Sequence, residues 1–120
     1  MEDIRLKTTK YTVAGKEYEL RCNMNVLADV QEANGGNLAA ALADSRSMKT
    51  ALQLGAAMLN DCADANGWPE RFTERQLGRL IPPKEIGKFS AIVTDLLYSA
   101  LRADDEEAEN GEEKEDTEKN

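Results

Sequence analysis

Apolar and polar residues alternate on both sides of a short glycine-containing turn in KYTVAGKEYELRC, residues 10–22. Tyr11 and Val13 precede the turn, and Tyr18 and Leu20 follow it. A period of two is typical of strands with one apolar face, and the glycine can supply the positive φ of a tight turn. We therefore expect a β-hairpin whose apolar face rests on helices, because two strands alone are barely stable in water.

After the hairpin the apolar residues recur at helical spacing. About five helices are expected, each beginning at a residue that suits a helix N-terminus. The expected starts are Asn23 or Asn25, Asn37 or Leu38, Ser47, Thr73 and the pair Pro82-Pro83. Asn34-Gly35 and Asn66-Gly67 are expected to end the first and third helices.

The helix after Ser47 carries small residues, among them Gly55, that would let a neighbouring helix approach closely. Thr73 and Gln76 fit the capping box of a short helix over residues 74–80. The segment from Lys84 onward has an apolar face over about twenty residues, which is typical of an amphipathic helix. The predicted fold class is mainly α (α+β), a hairpin followed by helices.

Charge separates the chain into two parts. Residues 104–120 hold ten of the 23 acids and two of the 15 bases, so 13 of each remain in residues 1–103. The terminal segment has low hydropathy and dense like charge, and burial there cannot offset the ordering entropy. We therefore expect one hairpin-plus-helix domain over 1–103 and a disordered acidic tail over 104–120. Because the domain has no basic surplus, a nucleic-acid partner is not expected.

Candidate catalytic chemistry is sparse. The chain has no histidine, and its only cysteines, Cys22 and Cys62, do not form a metal-binding pair. It also lacks a glycine-rich phosphate loop. We expect no enzyme activity, no cofactor and no metal site. There is no long apolar run and no apolar leader at the N-terminus, so we expect a cytoplasmic protein that does not associate with membranes.

Four residues are candidates for partner contacts. Trp68 is the only tryptophan, and it is either an interface anchor or a loop residue folded over the edge of the core, which we favour. Arg71, Arg75 and Arg79 stand at steps of four residues. They are expected on one side of the short helix, as a solvated face or as a docking stripe for an acidic partner or for the chain's own tail.

The order of these parts resembles the tail assembly chaperones of long-tailed bacteriophages and prophages. The matching residues are the hairpin Gly15-Lys16-Glu17-Tyr18-Glu19-Leu20, followed by Val26, Leu27 and Glu32. The segment FTERQLGRLIPPKEIGKFSAIVTDLLYSAL resembles the threonine-capped short helix and longer helix that close the family's fold. Only Asp29 and Glu32 are acidic in the helix after the hairpin, where family members carry more acids.

The resemblance implies a non-enzymatic chaperone in the cytoplasm of a bacterial host. Such a protein binds the tape measure protein, keeps it soluble, helps recruit tail tube subunits and is absent from the mature virion. It leaves self-association open.

The resemblance also implies a longer product made by ribosomal frameshift. Glu118-Lys119-Asn120 can be encoded by a slippery heptamer, which the gene sequence would show. A different hypothesis is a small regulatory or inhibitory protein whose acidic tail mimics nucleic acid.

Overall fold

The protein is a two-stranded antiparallel sheet followed by five α-helices. The computed structural model describes residues 6–44 and 47–110, with side chains described as far as Arg102. The elements are β1 Thr9–Val13, β2 Lys16–Leu20, α1 Met24–Ala33, α2 Leu38–Ala43, α3 Met48–Ala65, α4 Glu74–Leu80 and α5 Ile86–Asn110, with a 3₁₀ turn Pro83–Glu85 before α5. The predicted fold class, a hairpin followed by about five helices, is confirmed. Within the described ranges, no helix has the length and apolar character needed to cross a bilayer.

The hairpin has the predicted apolar face. Tyr11 pairs with Tyr18, and both side chains are buried together with Val13 and Leu20. The turn uses positive φ at two residues, Ala14 at 52° and the glycine after it at 81°. Two positive φ values match a type I′ turn, whose twist suits paired strands.

The helices begin at polar caps. Asn23, of the two alternatives for α1, accepts a hydrogen bond from the backbone N–H of Val26 at 3.0 Å. The side chains of Asn37 and Ser47 cap α2 and α3 in the same way. For α4 the predicted capping box is complete, since each of Thr73 and Gln76 accepts from the other's backbone N–H. Local side-chain chemistry therefore fixes where these four helices start.

Helix α3 is the central element of the core. It packs against α1, α4, α5 and the strand β2, and the side chains of Leu54, Met58 and Leu59 are at most 1% exposed. Gly55 faces the fully buried ring of Phe89 on α5, and a Cβ at this glycine would lie 2.2 Å from the ring. The close approach expected from the small residues of α3 is therefore made with α5.

Helix α5 is longer than predicted. The sequence places the end of the folded domain at 103, whereas α5 continues for seven residues into the acidic segment and ends at Asn110. Burial is not required for this extension, because glutamate and alanine have high intrinsic helix propensity and the helix is already nucleated by its packed first half. Residues 111–120 lie outside the described residues, so the disorder predicted for them stays a prediction.

Candidate functional site

Trp68 lies in the loop between α3 and α4 and is half-buried. Its backbone N–H donates to the carbonyl of Ala63 at 2.8 Å, which ties the loop to the end of α3. The ring of Tyr18 meets the indole edge-on, with 5.7 Å between centroids. Lys16 places its Nζ 3.7 Å from the centroid of the indole, within the range of a cation–π contact. Side chains from the hairpin therefore pack against the indole ring.

Glu70, two residues after the tryptophan, joins the same hairpin residues. Its Oε2 accepts hydrogen bonds from Lys16 Nζ at 2.7 Å and from the hydroxyl of Tyr18 at 2.8 Å. Tyr18 also contacts the ring of Phe72 edge-on at 5.8 Å. We call Lys16, Tyr18, Trp68, Glu70 and Phe72 the Trp68 cluster; it fastens the hairpin to the α3–α4 loop.

The Trp68 cluster changes the acid–base behaviour of two of its members. The hydrogen bonds from Lys16 and then from Tyr18 lower the pKa of Glu70 to about 2. Burial, and secondly the hydrogen bond to the carboxylate, raises the pKa of Tyr18 to about 12. Both shifts keep the carboxylate charged and the phenol protonated at neutral pH, which suits a stable fastening rather than proton transfer.

The three arginines of the predicted stripe do not share one helix face. Arg71 precedes α4, donates to the carbonyl oxygens of Trp68 and Glu70, and pairs with Asp64 at 3.2 Å. Its prediction as part of the short helix is wrong, because the Thr73 cap starts that helix at Glu74.

Arg75 and Arg79 do lie on α4, one turn apart, and both are exposed. The structure therefore separates the loop arginine from the two helical ones. Contact of any of them with a partner stays a prediction.

We expect Glu70→Gln to make the protein less stable at neutral pH and to reduce its loss of stability in acid. The folded pKa of Glu70 lies below its ordinary value of 4.5, so its contribution is present above about pH 4.5 and is lost as the pH falls towards about 2. Urea unfolding across this pH range, followed by tryptophan fluorescence, measures the effect. Glu17→Gln, at an exposed position on β2, is the matched control. Identical pH profiles for the two variants would contradict the role given to Glu70.

A small apolar groove lies where α4 and the 3₁₀ turn meet the start of α3. It has a volume of about 160 Å³ and is lined by Met48, Leu52, Gly78, Ile81, Pro83 and Ile86. Met48 is 59% exposed, whereas Ile81 is buried. We call these six residues the α3–α4 groove. Sequence reasoning missed it because its walls come from four elements, α3, α4, the 3₁₀ turn and the start of α5, although the pair Met48 and Leu52 at i, i+4 was a partial signal.

An acidic depression of about 300 Å³ lies between α1 and α3, beside the start of α4. Burial, followed by the charges of Glu32 and Asp61, raises the pKa of Asp29 there. Within it the buried amide of Gln53 is bonded to Asn34 and Glu74, at 2.9 and 3.1 Å. This depression therefore presents negative charge, but its buried amide is already hydrogen-bonded.

The remaining groups that could take part in chemistry are the cysteines and possible metal ligands. Both cysteines are free and buried, and burial raises the pKa of Cys22 to about 11, so its thiol is a weak nucleophile at neutral pH. No cluster of three or more acidic, cysteine or histidine side chains suited to a metal ion occurs in the described part of the chain.

Comparison of the chain with protein-family models, with curated proteins and with solved structures finds no match.

Proposed function

We propose that the protein is a non-enzymatic tail assembly chaperone of a long-tailed phage or prophage. In this role it binds the tape measure protein in the cytoplasm of the bacterial host and keeps it soluble. It also helps recruit tail tube subunits and leaves before the virion is complete. The sequence resemblance suggests the role, and the α3–α4 groove is the observation in the structure that best supports it.

The α3–α4 groove has the character of a site for an amphipathic helix. Its lining is apolar, and Met48 extends into solvent at its edge. An amphipathic helix binds such grooves by inserting residues spaced three or four apart. Methionine adapts its shape to different partners, which suits a client that presents many similar but unequal segments. We propose that exposed apolar stripes of the tape measure protein are held here.

The acidic terminal segment supports the same role. It carries the net charge of −8, while residues 1–103 are neutral overall. Many copies bound along one client would therefore repel one another through these segments, and the covered client would stay in solution.

Co-expression with the tape measure gene of the same phage tests the proposal. We expect the soluble fraction of the tape measure protein to rise several-fold, and Met48→Glu to remove most of the gain by placing a charge in the apolar groove. Met24→Glu is a close control, because Met24 is also exposed and also the first residue of its helix. A glutamate affects the helix dipole equally at both positions.

An unchanged soluble fraction of the tape measure protein would overturn the proposed function. Equal loss with the two methionine variants would instead remove the α3–α4 groove from the mechanism. The alternative, an acidic mimic of nucleic acid, predicts binding to a basic DNA-binding protein that depends on residues 104–120 and is unaffected by Met48→Glu.

A further inference from the structure

Four bases lie on the consecutive elements that form the junction between α4 and α5. Arg75, Arg79, Lys84 and Lys88 are all exposed, and none of them forms an ion pair with a side chain that the structure describes. We call these four residues the basic patch.

The acids near the basic patch are engaged elsewhere. Glu85 accepts a hydrogen bond from the hydroxyl of Tyr11 at 3.3 Å. Glu74 pairs with Lys49 at 3.1 Å and accepts from Gln53. Because the tyrosine is neutral, Glu85 keeps its negative charge. The basic patch therefore sets four bases against one acid that is not ion-paired, so a positive surplus remains among the described side chains.

The opposite end of α5 has the complementary charge. Residues 104–109 hold five acids and no base, and they lie in the last two turns of the helix. Acids at a helix C-terminus face the negative end of the helix dipole, and neighbouring like charges on a helix repel each other. A basic surface placed against this end would offset both the unfavourable dipole interaction and the repulsion between the acids.

One molecule cannot readily bring its own two ends together. The basic patch lies at the start of α5, and the acidic turns lie at its end, after 25 residues and roughly 37 Å of helix. The acidic turns of a second copy can contact the basic patch without having to span the length of α5.

We propose that the acidic end of α5 in one copy binds the basic patch of a second copy. The contact joins two different surfaces, so it leaves one acidic end and one basic patch free and can repeat head to tail. Residues 104–120 contain no apolar residue except Ala108, so they suit the basic patch and leave the α3–α4 groove open. This self-association requires no client and goes beyond the proposed chaperone function.

Sedimentation velocity of the full chain over a range of concentrations tests the contact. In about 20 mM NaCl we expect the average mass to rise with concentration, and in about 500 mM NaCl we expect monomer, because salt screens exposed charges. Arg75→Gln/Arg79→Gln, the patch variant, should weaken association about tenfold. Lys10→Gln/Arg21→Gln removes the same charge from the hairpin and the residue that follows it, where Lys10 is exposed and Arg21 is half-buried, and should have little effect.

A second full-length variant carries amides in place of the five acids of residues 104–109, and we expect it to be monomeric. When it is mixed with the patch variant, one chain supplies an intact basic patch and the other an intact acidic end. At concentrations below those at which the patch variant associates with itself, we expect 1:1 complexes from this mixture and no longer chains. The mixture distinguishes a head-to-tail contact from general charge effects.

Three results would overturn the proposal. The first is a wild-type chain that stays monomeric at every concentration in low salt. The second is equal weakening by the patch variant and its hairpin control. The third is a salt-dependent change in shape without concentration dependence, which would show that the acidic segment folds back on its own molecule. None of these bears on the solubility of the tape measure protein, so the two proposals fail separately.

Discussion

Replacing Gly55 by alanine is expected to lower the free energy of unfolding by about 2 kcal/mol, although alanine is the better helix former. The new Cβ would lie 2.2 and 2.7 Å from two atoms of the Phe89 ring and 3.2 Å from Leu77 Cδ2. Both neighbours are fully buried, so neither can move out into solvent to relieve the clash. Overpacking of this kind costs roughly 1–3 kcal/mol or more, and the gain in helix propensity of about 1 kcal/mol offsets only part of it.

Urea unfolding of the variant and a double-mutant cycle measure this effect. Phe89→Leu alone should destabilise by leaving a cavity, but the cavity should accept the alanine at position 55. The double variant should therefore be more stable than the sum of the two single changes predicts, by about 1 kcal/mol or more. Gly87→Ala in α5 is the control, because a Cβ there meets nothing within 4 Å. Strict additivity of the two changes would contradict a direct clash between α3 and α5.

The starts of the helices could be predicted from the sequence, because each depends on side chains only a few residues away from the helix start. The caps of α1 to α4 and the capping box of Thr73 each involve residues three apart, and the structure contains them. The small residues of α3 indicate a close helix–helix contact. They do not identify Phe89 as the partner, because that choice depends on how α3 and α5 pack.

The Trp68 cluster could not be predicted from the sequence, because its contacts join residues that are far apart along the chain. Lys16 and Glu70 are 54 residues apart, and only the packing of the hairpin on the α3–α4 loop brings them together. The misplacement of Arg71 has a different cause. Spacing of four residues suggested one helix face, although the Thr73 cap, visible in the sequence, already excluded residue 71 from the helix. A cap outweighs periodicity when the two conflict at a helix end.

The extension of α5 to Asn110 shows a third kind of feature that the sequence pattern did not predict, the position at which a helix ends. Hydropathy predicts which residues become buried, and it places the end of the apolar stripe near Leu101. It does not predict where backbone hydrogen bonding stops, because a helix can continue into solvent on propensity alone. In this chain the additional helical residues after 103 include five acids, which therefore lie at the end of α5. The proposed contact between copies depends on their position there.

Leu20→Ala is expected to destabilise the protein by about 3 kcal/mol, because the hairpin is part of the core. Leu20 is fully buried on β2, and this strand packs against α3. Truncating a buried leucine costs about 2–5 kcal/mol, depending on how far the site collapses. A two-stranded hairpin has little stability of its own, so loosening its attachment should also weaken the Trp68 cluster at its other end.

Fluorescence of Trp68, the only tryptophan, reports directly on that attachment during urea unfolding. Glu19→Ala changes the exposed neighbour of Leu20 on the same strand and should shift stability by less than about 1 kcal/mol. If fluorescence and circular dichroism give one coincident transition for Leu20→Ala, the hairpin and helices unfold as a unit. A Leu20→Ala chain with unchanged stability would show instead that the helices hold together without the hairpin.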